Sequence, residues 1–181
     1  MGKLLVKKPK YWIISTLPAL IIVIDQWTKF IITDRFRLGE TIQVIGGLFN
    51  ITYVRNPGAA FGLLAQAHPS FRVPFFLVIP VIALAVITMV FRKLPDRSLA
   101  ISSALSLVVG GAIGNLIDRL RYGYVVDFLD FHWNFQAHFP AFNVADSAIC
   151  VGVGILVLDI LRQPEPASKK KKSSSNASTL A

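Results

Sequence analysis

Charge is scarce in this chain. Only 16% of its 181 residues are Asp, Glu, Lys or Arg, whereas 54% are hydrophobic and mean hydropathy is +0.58. A soluble domain of this length has too little interior to hide so much apolar surface. The shortage of charge therefore excludes an ordinary water-soluble fold and implies a multispan membrane protein. Cysteine is almost missing. The single Cys150 lies in an apolar run, which rules out an intrachain disulfide frame or a thiolate metal site and leaves it as a small packing residue. Histidine is nearly as rare, and His68, His132 and His138 lack any helical ligand spacing, so neither a metal nor a cofactor is expected. Acids number ten against nineteen basic residues. In so apolar a chain the formal charge of +9 reads as positive-inside bias, not as affinity for nucleic acid.

Long uncharged runs are what the chain has instead. Val73–Phe91 and Ser98–Ile117 carry no charge, Tyr11–Ile24 carries none, and a fourth apolar stretch runs from Phe139 to Leu158. A bilayer core of roughly 30 Å takes about 20 helical residues. Spans are therefore expected at about 11–33, 72–92, 98–120 and 139–161, making one integral membrane domain over 1–162. Lys3, Lys7, Lys8 and Lys10 precede the first apolar run as in a signal peptide, but no small-x-small cleavage site follows, so a retained anchor is expected. With both termini and the loop "RKLPDRS" on one side, that side holds twelve basic and three acidic residues, against seven of each on the other. The basic side is expected to be cytoplasmic. The tail 163–181, with Lys169 to Lys172, is Ser-rich and low in complexity, and reads as a disordered cytoplasmic segment lying near anionic lipid.

Two segments are expected outside, at about 34–71 and 121–138. In the first, "TIQVIGGLFNITYV" alternates roughly around Gly46-Gly47 and predicts two short strands. Asn56-Pro57-Gly58 is a turn signal, after which Ala59-Ala60-Phe61 is placed to start a short interfacial helix. The expected architecture is thus an all-α membrane bundle with a small external β-sheet and a short helix between spans one and two. The second segment carries Tyr122, Tyr124, Phe128, Phe131, Trp133, Phe135 and Phe139, which suit an aromatic belt at the membrane–water boundary.

The seven acids of the outer side all fall at span ends or in loops. Asp25 and Lys29 are spaced i,i+4, the pattern of an ion pair. Gly110 and Gly114 are spaced to let helices approach closely. Asn115, Asp118 and Arg119 share one helix face, and Asn143, Asp146 and Ser147 repeat that spacing where Asn143 can cap span four. A charged Asp deep in a membrane helix costs roughly 2.5–3.5 kcal/mol, so Asp146 is expected to face the protein interior. If it meets Asp127, the two share a proton near neutral pH, the condition for activating water against an amide. Spacing leaves Asp118 and Asp130 as rivals for either place. It also leaves open a proton relay, a non-catalytic scaffold and a solvated interfacial cluster.

The motifs narrow the choice. "DQWTK" (25–29), "RNPGAAFG" (55–62), "GGAIGNLIDRL" (110–120), "VVDF" (125–128) and "FNVADSAI" (142–149), in that order, resemble lipoprotein signal peptidase, or signal peptidase II. The resemblance covers nearly the whole chain apart from both tails. It implies a bacterial inner-membrane aspartic endopeptidase that cuts lipid-modified prolipoproteins before the diacylglyceryl cysteine without a metal. Asp127 and Asp146 match its catalytic aspartates. Asn56, Asn115, Arg119 and Asn143 match residues lining the pocket and holding the substrate backbone. Asp25, Lys29, Asp118 and Gly58 match structural positions, with Asp118 expected to orient Arg119. Inhibition by globomycin-type cyclic peptides, contact with phospholipid and a monomeric state are further expectations.

Overall fold

The computed structural model describes residues 9–58, 64, 66–133 and 137–162. The expected interfacial helix at Ala59-Ala60-Phe61 and the tail 163–181 lie outside these residues. Among the described residues four helices are long and apolar enough to cross a membrane: α1 (Pro9–Arg35), α2 (Pro69–Lys93), α3 (Leu99–Tyr122) and α4 (Val144–Arg162). Even α4, with 19 residues, spans about 28 Å at 1.5 Å per residue.

The centre of the bundle is α3, which packs against each of the other three helices. Small residues bring it close to two of them. A Cβ on Gly110 would stand 3.0 Å from Pro18 Cα of α1, and one on Gly111 would run into the Ala145 carbonyl of α4. On α1 the buried residues Pro18, Asp25, Lys29 and Ile32 recur at near-helical spacing, so one stripe faces inward. That stripe includes the charged pair Asp25 and Lys29, while Trp12, Val23, Trp27 and Phe30 are exposed as lipid contact requires.

The helix ends explain the boundaries. Gly123 closes α3 with φ of +77°, a left-handed cap that glycine adopts without strain, and its N–H donates to Arg119 O at 3.0 Å. Span four starts later than expected. Phe139–Phe142 is apolar but not helical, because Phe142 exchanges backbone hydrogen bonds with Leu129. Asn143 then caps α4. Its Oδ1 accepts the Asp146 N–H at 2.9 Å, while Asp146 Oδ2 accepts the Asn143 N–H at 3.3 Å. This is a reciprocal capping box.

At the end of the bundle where α1 and α3 finish and α4 begins stands an antiparallel sheet in the order β1-β2-β3-β4: β1 (Thr41–Ile45), β2 (Phe49–Asn56), β3 (Val125–Trp133) and β4 (Ala137–His138). The hairpin around Gly46-Gly47 is as expected. The sheet, however, is not confined to the segment between α1 and α2. The segment after α3 supplies β3, which pairs with β2 from Phe49↔Phe131 to Asn56↔Val125. Ile32, Tyr53, Val126 and Phe128 form the core that seats the sheet on α1. Phe128 is therefore interior, not part of an aromatic belt; Tyr122, Trp133 and Phe139 are exposed.

Candidate active site

Asp146 falls in the first turn of α4, where a carboxylate meets the positive end of the helix dipole and the unpaired N–H groups. That position answers the cost of an acid in an apolar helix. Asp127 lies on β3 and is 2% exposed, with Val126 and Phe128 on either side of it in the strand also buried. The pairing of β3 with β2, and the bond between Leu129 and Phe142, bring the strand beside the start of α4.

The two acids line one cavity of about 460 Å³. Its polar floor is Asn56, Asn115, Arg119, Asp127 and Asp146, and its apolar wall is Phe139–Phe142, Ile149 and Cys150. Each carboxylate is held by amides. Asp127 accepts from Asn56 Nδ2 at 2.9 Å and from Asn143 Nδ2 at 2.8 Å. Asp146 accepts from Asn115 Nδ2 at 2.7 Å as well as from the Asn143 N–H. Asn143 thus touches both acids, yet it does not line the cavity; it is fully buried behind them.

Burial, reinforced by the charge of Asp146, pushes the Asp127 carboxyl up from 3.8 to about 7. The amides of Asn56 and Asn143 and the charge of Lys29 pull the other way, and desolvation wins.

The orientation of the amides is set from behind. Asn56 Oδ1 accepts the Gly58 N–H at 3.0 Å, so the expected turn is an Asx turn that points Nδ2 at Asp127. The Gly58 carbonyl in turn accepts from Arg119 Nη2 at 3.0 Å. Arg119 lies over the Phe76 ring at 5.0 Å. The expected Asp25–Lys29 ion pair forms, at 2.9 Å. Asp118 is directed elsewhere than expected. Its oxygens meet Lys29 Nζ at 2.9 Å, Gln26 Nε2 at 2.8 Å and the Val126 N–H at 3.1 Å, so its partners lie on α1 and β3, not at Arg119. Asp130, a rival for either acid's place, accepts from Asn50 Nδ2 at 2.9 Å and does not line the cavity.

Sequence reasoning gave no role to Gln26, which also donates to Gly114 O at 3.2 Å. Its place beside Asp25 was the available signal. Nor did it bring Cys150 to the cavity, although Cys150 follows Asp146 by one helical turn.

The signal peptidase (SPase) II family profile matches residues 17–162. The chain belongs to the signal peptidase II family. The lipoprotein signal peptidase of Geobacter metallireducens is 49% identical over 162 residues, covering 90% of this chain and 98% of the relative. That of Geobacter sulfurreducens is 51% identical over 156 residues, covering 86% and 96%. A solved structure described as a bacterial membrane enzyme, obtained by the in meso method at 2.3 Å, superposes with a TM-score of 0.75 at 34% identity, covering 92% of this chain and 98% of that one. A second, at 1.9 Å, gives 0.74. In this signal peptidase II family member all five motif segments contribute to the polar end of the bundle: Asp25 and Lys29, Asn56, Asn115 to Arg119, Asp127, and Asn143 to Asp146.

Proposed function

We propose that this chain is an aspartic endopeptidase which removes the signal peptide of lipid-modified prolipoproteins, cutting on the N-terminal side of the diacylglyceryl cysteine. Family membership supports the coarse reading, a membrane protease that processes prolipoprotein signal peptides. The observation that carries the finer one is the pair Asp127 and Asp146, held by a common asparagine at the floor of one cavity.

A buried acid and a half-buried one lining the same cavity favour a single shared proton. With one acid ionised and one protonated, the ionised carboxylate takes a proton from a water as its oxygen attacks the scissile carbonyl. The protonated acid then gives its proton to the leaving amide nitrogen as the carbon–nitrogen bond breaks. The product is a carboxylic acid and a new amino terminus, and the pair ends with one proton, as it began. Asn56, Asn115 and Arg119 hold the substrate backbone, and Asn143 acts from behind. The apolar wall from Phe139 to Cys150 suits a substrate whose signal helix and acyl chains remain in lipid.

The domain is one unit over 1–162 with a basic cytoplasmic tail. It sits in the bacterial inner membrane with both termini cytoplasmic and the sheet at the outer leaflet, in contact with phospholipid and active as a monomer. Globomycin-type cyclic peptides occupy the same cavity. A proton path would need ionisable groups through the depth of the bundle, whereas the buried acids described here gather at its sheet end.

The test is cleavage of a lipid-modified prolipoprotein by purified Asp127→Asn and Asp146→Asn. Each should fold, insert and lose about 10²–10⁴-fold in kcat. Substantial turnover by either variant would remove the dyad.

A further inference from the structure

The mechanism above gives no part to Lys29, although it is 3% exposed and bonded to Asn115, which lines the cavity. Its Nζ is 2.9 Å from Asp25 Oδ2, 2.9 Å from Asp118 Oδ2, and donates to Asn115 Oδ1 at 2.9 Å. An ammonium has three hydrogens, so these partners use its whole donor capacity.

Each of the three partners continues to a reacting carboxylate. Asp25 Oδ1 accepts the Ala145 N–H at 2.9 Å, and Ala145 immediately precedes Asp146. Asp118 Oδ2 accepts the Val126 N–H at 3.1 Å, and Val126 immediately precedes Asp127. Asn115, its oxygen turned to the ammonium, presents Nδ2 to Asp146 Oδ1 at 2.7 Å. Flipping that amide would set its NH₂ against Lys29. One cation therefore reaches the backbone of both acid-bearing elements, β3 and α4, and the side chain of one acid.

A tie between α1 and α3 alone would need only the Lys29–Asp118 pair. The extra links go to the residues that precede the two acids. We infer that Asp25, Lys29 and Asp118 form a yoke that fixes the spacing and heading of the Asp127 and Asp146 carboxylates, and that all three are positioning residues for the hydrolysis. The inference rests on the dyad reading of the cavity.

Lys29 also belongs to the charge set that decides when the pair titrates. The ionisable groups around the pair are Asp25 and Lys29 from α1, Asp118 and Arg119 from α3, Asp127 from β3 and Asp146 from α4. From α2, Arg72 shares a small neighbouring cleft with Arg119. Removing the ammonium disfavours a second negative charge on the pair, so the shared proton is retained to higher pH.

The experiment uses the full chain in lipid–detergent micelles, a synthetic prolipoprotein peptide carrying a diacylglyceryl cysteine, and the variants Lys29→Met, Asp118→Asn and Lys29→Met/Asp118→Asn. Each variant that unfolds cooperatively should lose about 10²-fold in kcat while KM stays within about threefold, the signature of reacting groups displaced by a fraction of an ångström. In Lys29→Met the alkaline limb of kcat/KM should also move to higher pH. Should Lys29→Met fail to fold with two acids unpaired, the double variant keeps the parental charge of the triad and carries the test. A folded variant with parental kcat and a superimposable pH profile would reduce the yoke to a structural tie. Asp127→Asn serves as the reference. If it is inactive while the yoke variants keep parental kcat, this inference alone fails; if it still cleaves, the dyad fails first and the yoke with it.

Discussion

Asn143 donates its side-chain amide to Asp127 Oδ1 at 2.8 Å while serving as the N-cap of the helix that carries Asp146. The cap of α4 and the spacing of the two acids are thus set by one residue. Its Nδ2 also reaches Asn115 Oδ1 and Val126 O, both at 3.2 Å, so the same amide touches α3 and β3. An N-cap of this kind cannot shift without moving an acid.

Replacing Asn143 tests that coupling. Asn143→Ala removes the cap and takes the amide donor from Asp127 Oδ1, while Asn115 Oδ1 keeps Lys29 and Asp127 Oδ2 keeps Asn56. Thermal unfolding should show a loss of about 1–3 kcal/mol. Turnover should fall further than stability accounts for, by about 10²-fold in kcat, because Asp127 loses its fixed heading. A stability loss with kcat unchanged in the folded protein would make Asn143 a cap and nothing more.

The titration of Asp127 gives the chain a pH signature. Its folded-state pKa of about 7 lies above the ordinary 3.8, so between those values the folded protein binds more protons than the unfolded one. Stability therefore falls as pH rises through that window, the reverse of the usual salt-bridged Asp. Melting curves of the parent should shift downward from pH 4 to pH 8, and Asp127→Asn should flatten that slope. Activity should be bell-shaped in pH, with the alkaline limb near pH 7, where the pair gives up its shared proton. A flat rate profile from about pH 4 to 9, with chemistry rate-limiting, would contradict proton sharing.

Much of this architecture is legible in the residues because local rules decide it. Long apolar runs with few charges give α1 to α4, Gly46-Gly47 gives the first hairpin, and i,i+4 spacing gives the Asp25–Lys29 pair. What is not legible depends on partners distant in the chain. "VVDFLDFHW" lacks clean alternation, and it becomes a strand by pairing with β2, some seventy residues earlier. Phe139–Phe142 continues the apolar run, yet is drawn out of α4 by Leu129. Asp118 sits next to Arg119 in sequence, but its side chain meets Lys29 and the Val126 N–H, buried donors that the fold brings to it from α1 and β3. The convergence of Asp127 and Asp146 on one cavity is of the same kind: the residues alone leave Asp118 and Asp130 as rivals, and the motif resemblance is what favours these two.

Metal dependence separates this chemistry from a hydrolase that uses zinc. Among the described residues no three His, Cys, Asp or Glu side chains are grouped to hold a metal ion, and the acids of the cavity are occupied by amide donors. Incubation with EDTA or phenanthroline should leave the cleavage rate unchanged. A loss restored by added zinc would overturn the proposed mechanism.

The approach of α3 to α4 supplies a sharper mechanical test. A Cβ added at Gly111 would collide with the Ala145 carbonyl and come within 2.7 Å of Ile149 Cγ1. The carbonyl is backbone in the first turn of α4, so it yields only if the helix moves, and Asp146 follows Ala145 directly. Gly111→Ala should therefore cost about 1–3 kcal/mol of stability and about 10²-fold in kcat, because the start of α4 is pushed away from α3 and carries Asp146 with it. Gly154 provides the control on the same helix pair: a Cβ there meets nothing within 4 Å, so Gly154→Ala should leave turnover at the parental rate. Melting curves and cleavage rates of the two variants, measured side by side in the same micelles, decide the matter. If Gly111→Ala behaves like Gly154→Ala, the close packing of α3 on the first turn of α4 does not set the position of Asp146.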